Sequence, residues 1–446
     1  MAGPFKAYDV RGVYGNDVTD ELAYQVGRAY VAQTGGKRVV VGRDMRSHSA
    51  PLAGALIRGL TEGGANVEDI GLSSTDMMYF AVIERGADGG LMVTASHNPA
   101  KYNGIKCVRE HAIPLGLESG LDQIERRIHD HDLGAPAPTQ GTVKRIDLLD
   151  DFIKFMHSFV DPKTLAPLKV VIDCGNGMGG LIVPKLFAGS PVQIVPLFFE
   201  LDGTFPNHEA NPLLEENRRD LVAKVREVKA DLGIGLDGDT DRAFFVDGDG
   251  NFCSGDFIVG LLAQPVLQRH PGALIVYDLR CSNYVRDTVA KLGGRSAMWK
   301  VGHAYAKNYM REHNAEFGGE VSGHYYFKHA GAYFDSGNLT SLLLLKVLTD
   351  KQASLKQALK ESANYFISGE VNSTVRDPDA VLRTLEAGYG SKGKLVKIDG
   401  LSIFADDWWF NVRKSNTEPL IRLNCEAKSQ AAMEALRDEI LGVIRA

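Results

Sequence analysis

Apolar residues in this chain gather in short unbroken runs, each leading to an aspartate and a loop. Val39-Val40-Val41 leads to Gly42-Arg43-Asp44, Val170-Val171-Ile172 to Asp173-Cys174-Gly175, and Leu274-Ile275-Val276-Tyr277 to Asp278-Leu279-Arg280. Such runs suit strands buried on both faces. Helical spacing follows them, for example over 50–63 and 283–292. Strand–loop–helix order predicts an α/β fold. The runs recur too far apart for a solenoid repeat. Three related α/β domains in tandem account for them, although the runs alone leave chance recurrence equally open. A Pro- and Gly-containing stretch at 134–138 reads as a surface loop, and a helix over 148–159 is expected to link the first two domains. A turn at 247–251 joins two short strands near the start of the third domain. The last segment alternates strands with helices and ends in an amphipathic run over 430–444. The expected division is 1–147, 148–252, 253–366 and 367–446: three mixed α/β domains and a smaller α+β C-terminal domain around a central cleft.

Composition narrows the class. The 446 residues are 44% hydrophobic and 24% charged, which is ordinary for globular protein and enough for a large core. The formal charge is −6, with 50 basic and 56 acidic residues, so neither nucleic acid nor an anionic membrane is expected as a partner. Five cysteines lie scattered without a CxxC pair, which argues against a disulfide framework or a zinc site. The start of the chain lacks a charged-then-apolar leader, and the apolar stretch around Leu342 is far short of a membrane span. A soluble cytoplasmic protein is the expectation. Its oligomeric state is left open.

Four polar segments carry candidate chemistry. In Thr94-Ala95-Ser96-His97-Asn98-Pro99, an apolar strand runs into small polar residues. Pro99 biases Asn98 away from helix and leaves Ser96 and His97 on a strand-end loop, where α/β domains bind ligands. No GxSxG elbow surrounds Ser96, which rejects a serine hydrolase. Alone, the loop reads better as an ordinary Asn-Pro turn. In Asp237-Gly238-Asp239-Thr240-Asp241-Arg242, three alternating carboxylates call for a cation rather than a solvated acidic turn, because the apolar runs at 232–236 and 243–246 bury the loop's two ends. Oxygen ligands of this kind suit Mg2+ or Ca2+. Arg242 and Gly248 stand where an EF-hand needs Gly and Glu, so that motif is rejected. Three protein oxygens leave room for a phosphate on the metal. In Gly319-Glu320-Val321-Ser322-Gly323-His324, the polar residues alternate, so on an extended segment they would share one face suited to sugar hydroxyls, although alone the segment reads better as a Gly-rich strand edge with polar surface residues. In Arg413-Lys414-Ser415-Asn416-Thr417-Glu418-Pro419, with Arg422 beyond, arginines and hydroxyls suit a phosphate cradle or an ordinary polar hairpin.

Together the four segments resemble, in order and spacing, the alpha-D-phosphohexomutase superfamily over nearly the whole chain. TASHNP at 94–99 looks like its phosphoserine loop, DGDTDR at 237–242 its metal loop, GEVSGH at 319–324 its sugar loop and RKSNTEP at 413–419 its phosphate loop. Within it the chain resembles the bacterial phosphomannomutase group: Asn416 stands where phosphoglucosamine mutases usually carry Gly, and YDVRG at 8–12 and the stretch 75–81 point the same way. Arg280 replaces a lysine of some relatives, and Val321 a methionine common in relatives that handle both glucose and mannose phosphates.

The resemblance implies interconversion of mannose 6-phosphate and mannose 1-phosphate, a step in nucleotide-sugar precursor synthesis. It implies a phosphorylated Ser96, a Mg2+ held by Asp237, Asp239, Asp241 and the Ser96 phosphoryl group, and a hexose 1,6-bisphosphate intermediate. Arg11, Lys106 and Arg242 are then candidates to hold the moving phosphate. His97, Lys106 and His324 are candidates for proton transfer. Tyr8, His303, Glu320, Ser322, His324, Arg413, Ser415, Asn416, Thr417 and Arg422 form the expected substrate site. The alternatives are a phosphoglucomutase or dual-specificity mutase, a phosphoglucosamine mutase, a metal-dependent sugar phosphatase and a non-catalytic sugar-phosphate binder. Which hexose is preferred is left open.

Overall fold

A computed structural model describes residues 3–414 and 420–446. Among these, no helix is long and apolar enough to cross a membrane.

The three apolar runs become the strands Arg38–Arg43, Lys169–Asp173 and Leu274–Asp278. Each takes the same place in its own sheet. It pairs in parallel with the next strand on one side (Asn66–Leu72, Gln193–Leu197 and Arg295–Trp299) and with the one after on the other side (Gly89–Val93, Leu232–Leu236 and Phe317–Gly319). The chain then turns back into an antiparallel strand: Tyr102–Arg109, Ala243–Asp247 and Tyr325–His329. The recurrence in sequence is thus a recurrence of topology. Burial on both faces explains the unbroken runs: Val39, Val40 and Val41 are all inaccessible to solvent.

The three domains pack through one large core, to which the helix Leu149–Phe159 contributes Phe152, Phe155 and Met156. A fourth, antiparallel sheet centres on Trp408–Lys414 and Leu420–Ala427, covered by the helices Pro378–Tyr389 and Gln430–Arg445 with a core of its own. The strand Phe252–Cys253 belongs to the second sheet and Phe366–Ile367 to the fourth, so each straddles an expected boundary. The five cysteines are buried and unpaired.

The aspartate closing each apolar run makes one local turn three times. Oδ1 of Asp44, Asp173 and Asp278 accepts the backbone N–H two residues on, from Arg46, Gly175 and Arg280, at 3.0, 2.9 and 2.7 Å. Such Asx turns end the strand and release the chain into the loop.

Candidate active site

The antiparallel return is what builds the site. In each of the first three domains the hairpin between the third and fourth core strands holds one of the polar loops: 94–99, 237–242 and 319–324. The three hairpins meet back to back. Ala243 N–H donates to Gly323 O at 3.1 Å, and Arg242 bridges His324. Gly238 packs so tightly that a Cβ there would stand 2.5 Å from the Ser96 carbonyl oxygen.

Ser96 has φ = 50°, the left-handed region that non-glycine residues rarely enter. Arg46 holds it there. This guanidinium is almost wholly buried, and it donates to the carbonyls of Ser96 at 2.9 Å, Asn98 at 2.6 Å, Pro99 at 2.9 Å and Tyr102 at 3.1 Å. Asp44 accepts its Nε–H at 3.2 Å, and Phe205 of the second domain covers its face at 4.9 Å. Strain at one residue persists when its surroundings over-determine it, and such strain concentrates at functional sites.

Ser96 Oγ donates to Asp237 Oδ2 at 2.7 Å and lies 3.2 Å from His97 Nδ1. Asp237, Asp239 and Asp241 bring one oxygen each within 4.8 Å of one another, and all three are inaccessible to solvent. Two cations face them. Lys106 Nζ lies 2.7 Å from Asp239 and 2.5 Å from Asp241, and Arg242 Nε donates to Asp237 at 2.8 Å. Among the described residues, Oδ1 of Asp239 and Oδ1 of Asp241 are buried without a hydrogen-bond donor. Three carboxylates against two cations, with two oxygens unspent, fit a hard divalent ion.

Burial and neighbouring charge move the two imidazoles in opposite directions. Burial, helped by the charges of Arg242, Arg11 and Lys106, holds His97 well below its ordinary pKa. Burial would depress His324 as well, but the Asp241 and Asp335 carboxylates outweigh it and raise it. Its Nδ1 stands 2.8 Å from Asp335 Oδ2, and the fully buried Lys307 grips Asp335 Oδ1 at 2.8 Å. His303 lies between Tyr8 and His324, its ring tilted against both, with ring centres 5.4 and 5.5 Å away. Tyr8 hydroxyl donates to Val301 O at 2.8 Å, and Arg11 holds Asn98 Oδ1 at 2.7 Å, beside the Ser96 loop.

Against the sequence expectation, 320–324 is a turn rather than an extended segment. Glu320 N–H donates to His324 O, and Gly323 has φ = 85°. The alternating residues therefore split. Ser322 Oγ donates to Glu320 Oε2 at 2.7 Å, while His324 turns toward Asp335 and Asp241. Arg280 joins Glu320 and Ser322: it is clamped by both oxygens of Asp278, and its Nη2 reaches Ser322 Oγ at 3.3 Å. Arg413 and Arg422 are cross-strand neighbours on the fourth sheet and converge on Glu370, at 2.8 and 3.1 Å. Ser415, Asn416 and Thr417 lie outside the described residues.

Profiles of four phosphoglucomutase/phosphomannomutase domains match in order: alpha/beta/alpha domain I at 3–134, domain II at 150–250, domain III at 254–366 and the C-terminal domain at 370–443. An Escherichia coli phosphomannomutase is 41% identical over 451 residues, covering 99% of both chains. The chain belongs to the phosphoglucomutase/phosphomannomutase family. Phosphohexose mutases from Xanthomonas campestris are 42% identical over 99% of both chains. A Pseudomonas putida phosphomannomutase/phosphoglucomutase is 37% identical over 97% of this chain and 94% of its own. The crystal structure of a Burkholderia thailandensis family protein superposes with a TM-score of 0.89 at 35% identity, covering 99% of this chain and 97% of that one. The expected four-domain α/β fold and phosphohexomutase reaction class are those of this family.

Sequence reading missed several residues that the structure places against the candidate site residues. Arg46 and Glu370 lay outside every motif. The Asp-x-Arg spacing shared by Asp44–Arg46 and Asp278–Arg280 was the available signal for Arg46. Lys307 and Asp335 gave no signal, because they reach His324 only through the packing of the third domain. Thr75, which donates to Asp239 Oδ2 at 2.5 Å, and Asp76, which accepts from Ser336 and Asn338 at 2.5 and 2.9 Å, lock the first three domains together.

Proposed function

We propose that this enzyme interconverts mannose 6-phosphate and mannose 1-phosphate through a phosphorylated Ser96 and a hexose 1,6-bisphosphate. The observation that carries the chemistry is Ser96 Oγ at 2.7 Å from Asp237, with Asp239, Asp241, Lys106 and Arg242 closing around it. Full-length likeness to phosphomannomutases at about two residues in five supports the choice of sugar.

Asp237, Asp239 and Asp241 would hold Mg2+, which when bound supplies Lewis-acid neutralisation of charge on the transferring phosphoryl group. Arg242, Lys106 and Arg11 frame the same space with positive charge. The substrate's hydroxyl oxygen attacks the Ser96 phosphorus as the P–Oγ bond breaks, and its proton must pass to a nearby acceptor. His97, whose Nδ1 lies 3.2 Å from Ser96 Oγ, Lys106 and His324 are the candidates for that transfer. Arg413 and Arg422, with Ser415, Asn416 and Thr417, would grip the distal phosphate, while Tyr8, His303, Glu320, Ser322 and His324 read the hydroxyls. Each domain of the division 1–147, 148–252, 253–366 and 367–446 contributes one loop. Closure of the last domain would shield the phosphoserine from water.

Ser96→Ala is expected to abolish turnover of mannose 1-phosphate while keeping the melting temperature, and intact-mass analysis of the wild type is expected to find one phosphate on Ser96. Near-normal turnover by the variant would refute the reading. Dual use of glucose phosphates is favoured by the likeness to the Pseudomonas putida enzyme, and parallel assays with mannose 1-phosphate and glucose 1-phosphate decide between the two.

A further inference from the structure

Glu370 stands just before the strand Val371–Thr374, where the chain enters the fourth domain. Three arginines from two domains share its carboxylate. Oε2 faces Arg413 Nη2 at 2.8 Å and Arg280 Nη1 at 3.7 Å, and Oε1 accepts from Arg422 Nη1 at 3.1 Å. Arg280 is already spent on both oxygens of Asp278. Arg413 and Arg422 have, among the described residues, no carboxylate other than Glu370. Among the described residues, the Nε of each is buried without a partner. They face each other directly across the strand pair, where like charges repel. Burial would raise the carboxyl's pKa, but the charges of Arg280, Arg413 and Arg422 outweigh it and hold Glu370 below its ordinary value.

We infer that Glu370 is a positioning residue that sets the grip of the distal phosphate site. Its carboxylate lets the two guanidinia stand side by side and offsets part of their charge. This rests on the proposed mutase reading, in which a bisphosphorylated sugar must release its distal end, turn and bind again. A site with two uncompensated arginines would hold that phosphate too long. A carboxylate on the same guanidinia competes with the phosphate for them and weakens the grip. Glu370 also ties the pair to Arg280, so the cradle keeps its register against the sugar loop.

The test compares wild type with Glu370→Gln, which removes the charge and keeps the shape. Inorganic phosphate serves as probe in titration calorimetry, and initial rates give KM and kcat for the hexose 1-phosphate. A charge at this separation and partial exposure, with its side chain 24% accessible, changes anion affinity by roughly three- to tenfold. Phosphate is expected to bind that much more tightly to E370Q, with KM falling and kcat falling with it. Adding Arg422→Met to E370Q is expected to remove the gain, which places the bound phosphate in this cradle. Should E370Q not fold, E370S makes the same test. Glu370→Asp, which keeps the charge, is expected to show no gain. Unchanged or weaker phosphate binding in the folded charge-free variant overturns the inference. So does a KM that rises with kcat unchanged, as loss of a mere strut would give. Tighter phosphate binding in a protein that turns over no hexose phosphate would sink the mutase reading and, with it, the link to turnover, leaving only the effect of the Glu370 charge on anion binding. Normal mutase turnover with unmoved phosphate affinity would do the reverse.

Discussion

Replacing Lys106 by methionine should make the stability of this protein depend on a divalent cation. Lys106 Nζ contacts Asp239 at 2.7 Å and Asp241 at 2.5 Å, with its side chain 5% exposed and both carboxylates at 0%. In the wild type, two cations face three buried carboxylates. The variant leaves Arg242 alone with them. Removing one partner of a buried ion pair costs about 3–5 kcal/mol, because the other charge remains in a poorly solvating interior. For domains of this size that lowers the first melting transition by roughly 10 °C. A divalent ion can replace the lost charge. A ligand at a hundred times its Kd returns about 2.7 kcal/mol, most of the loss. Differential scanning fluorimetry in EDTA and across a MgCl2 series reads this without reference to activity. K106M is expected to melt far below wild type in EDTA and to recover most of the gap in Mg2+, while wild type shifts less. No Mg2+ shift in either protein would refute the assignment of Asp237, Asp239 and Asp241 as a cation site. So would a deficit that Mg2+ leaves untouched.

Two further outcomes are expected. Gly238→Ala would push a methyl group to 2.5 Å from the Ser96 carbonyl and separate the Ser96 loop from the loop of Asp237, Asp239 and Asp241. Since an ångström of misplacement costs about a hundredfold, kcat should fall by about that factor in steady-state assays while KM changes little. Glu426, buried against the start of the helix Asn283–Lys291, accepts the Asn283 N–H at 3.2 Å; burial pushes its pKa up to about 7 from 4.5. The folded state therefore binds the proton more tightly than the unfolded chain. The stability this contributes is fully present below pH 4.5 and is lost as pH rises through about 7. Glu426→Gln should consequently match wild type near pH 4.5 and be more stable by about 2–3 kcal/mol above pH 7, as read from denaturant midpoints. A constant difference at both ends would contradict this.

The four chemical loops were all legible as motifs, because their chemistry needs particular residues at close spacing. The three buried strands were legible too, since burial on both faces demands unbroken apolar runs, and the aspartate after each run signalled the turn that ends it. Helix bounds fell within a residue or two of those expected, at Ser49–Glu62 and Asn283–Lys291. The sugar loop was misread because alternation predicts a shared face only in a strand, and Gly323 at φ = 85° bends 320–324 into a turn.

Residue order alone specifies which side chains could carry the reaction and that three domains share one plan. It took the folded molecule to place the three loops in the same hairpin of each domain and to bring them together at Ser96. Only there does Arg46, held by Asp44 and covered by Phe205, keep the serine in a left-handed conformation. Only there do Lys307 and Asp335 tune His324, and does Glu370 face three arginines. The difference is one of range. Periodicity and turn chemistry act between residues a few positions apart, so one chain read in order displays them. Which charges face one another across the site depends on how separate domains dock, and the partners there lie far apart in sequence: Ser96 with Asp237, Lys106 with Asp239, and Arg280 with Glu370.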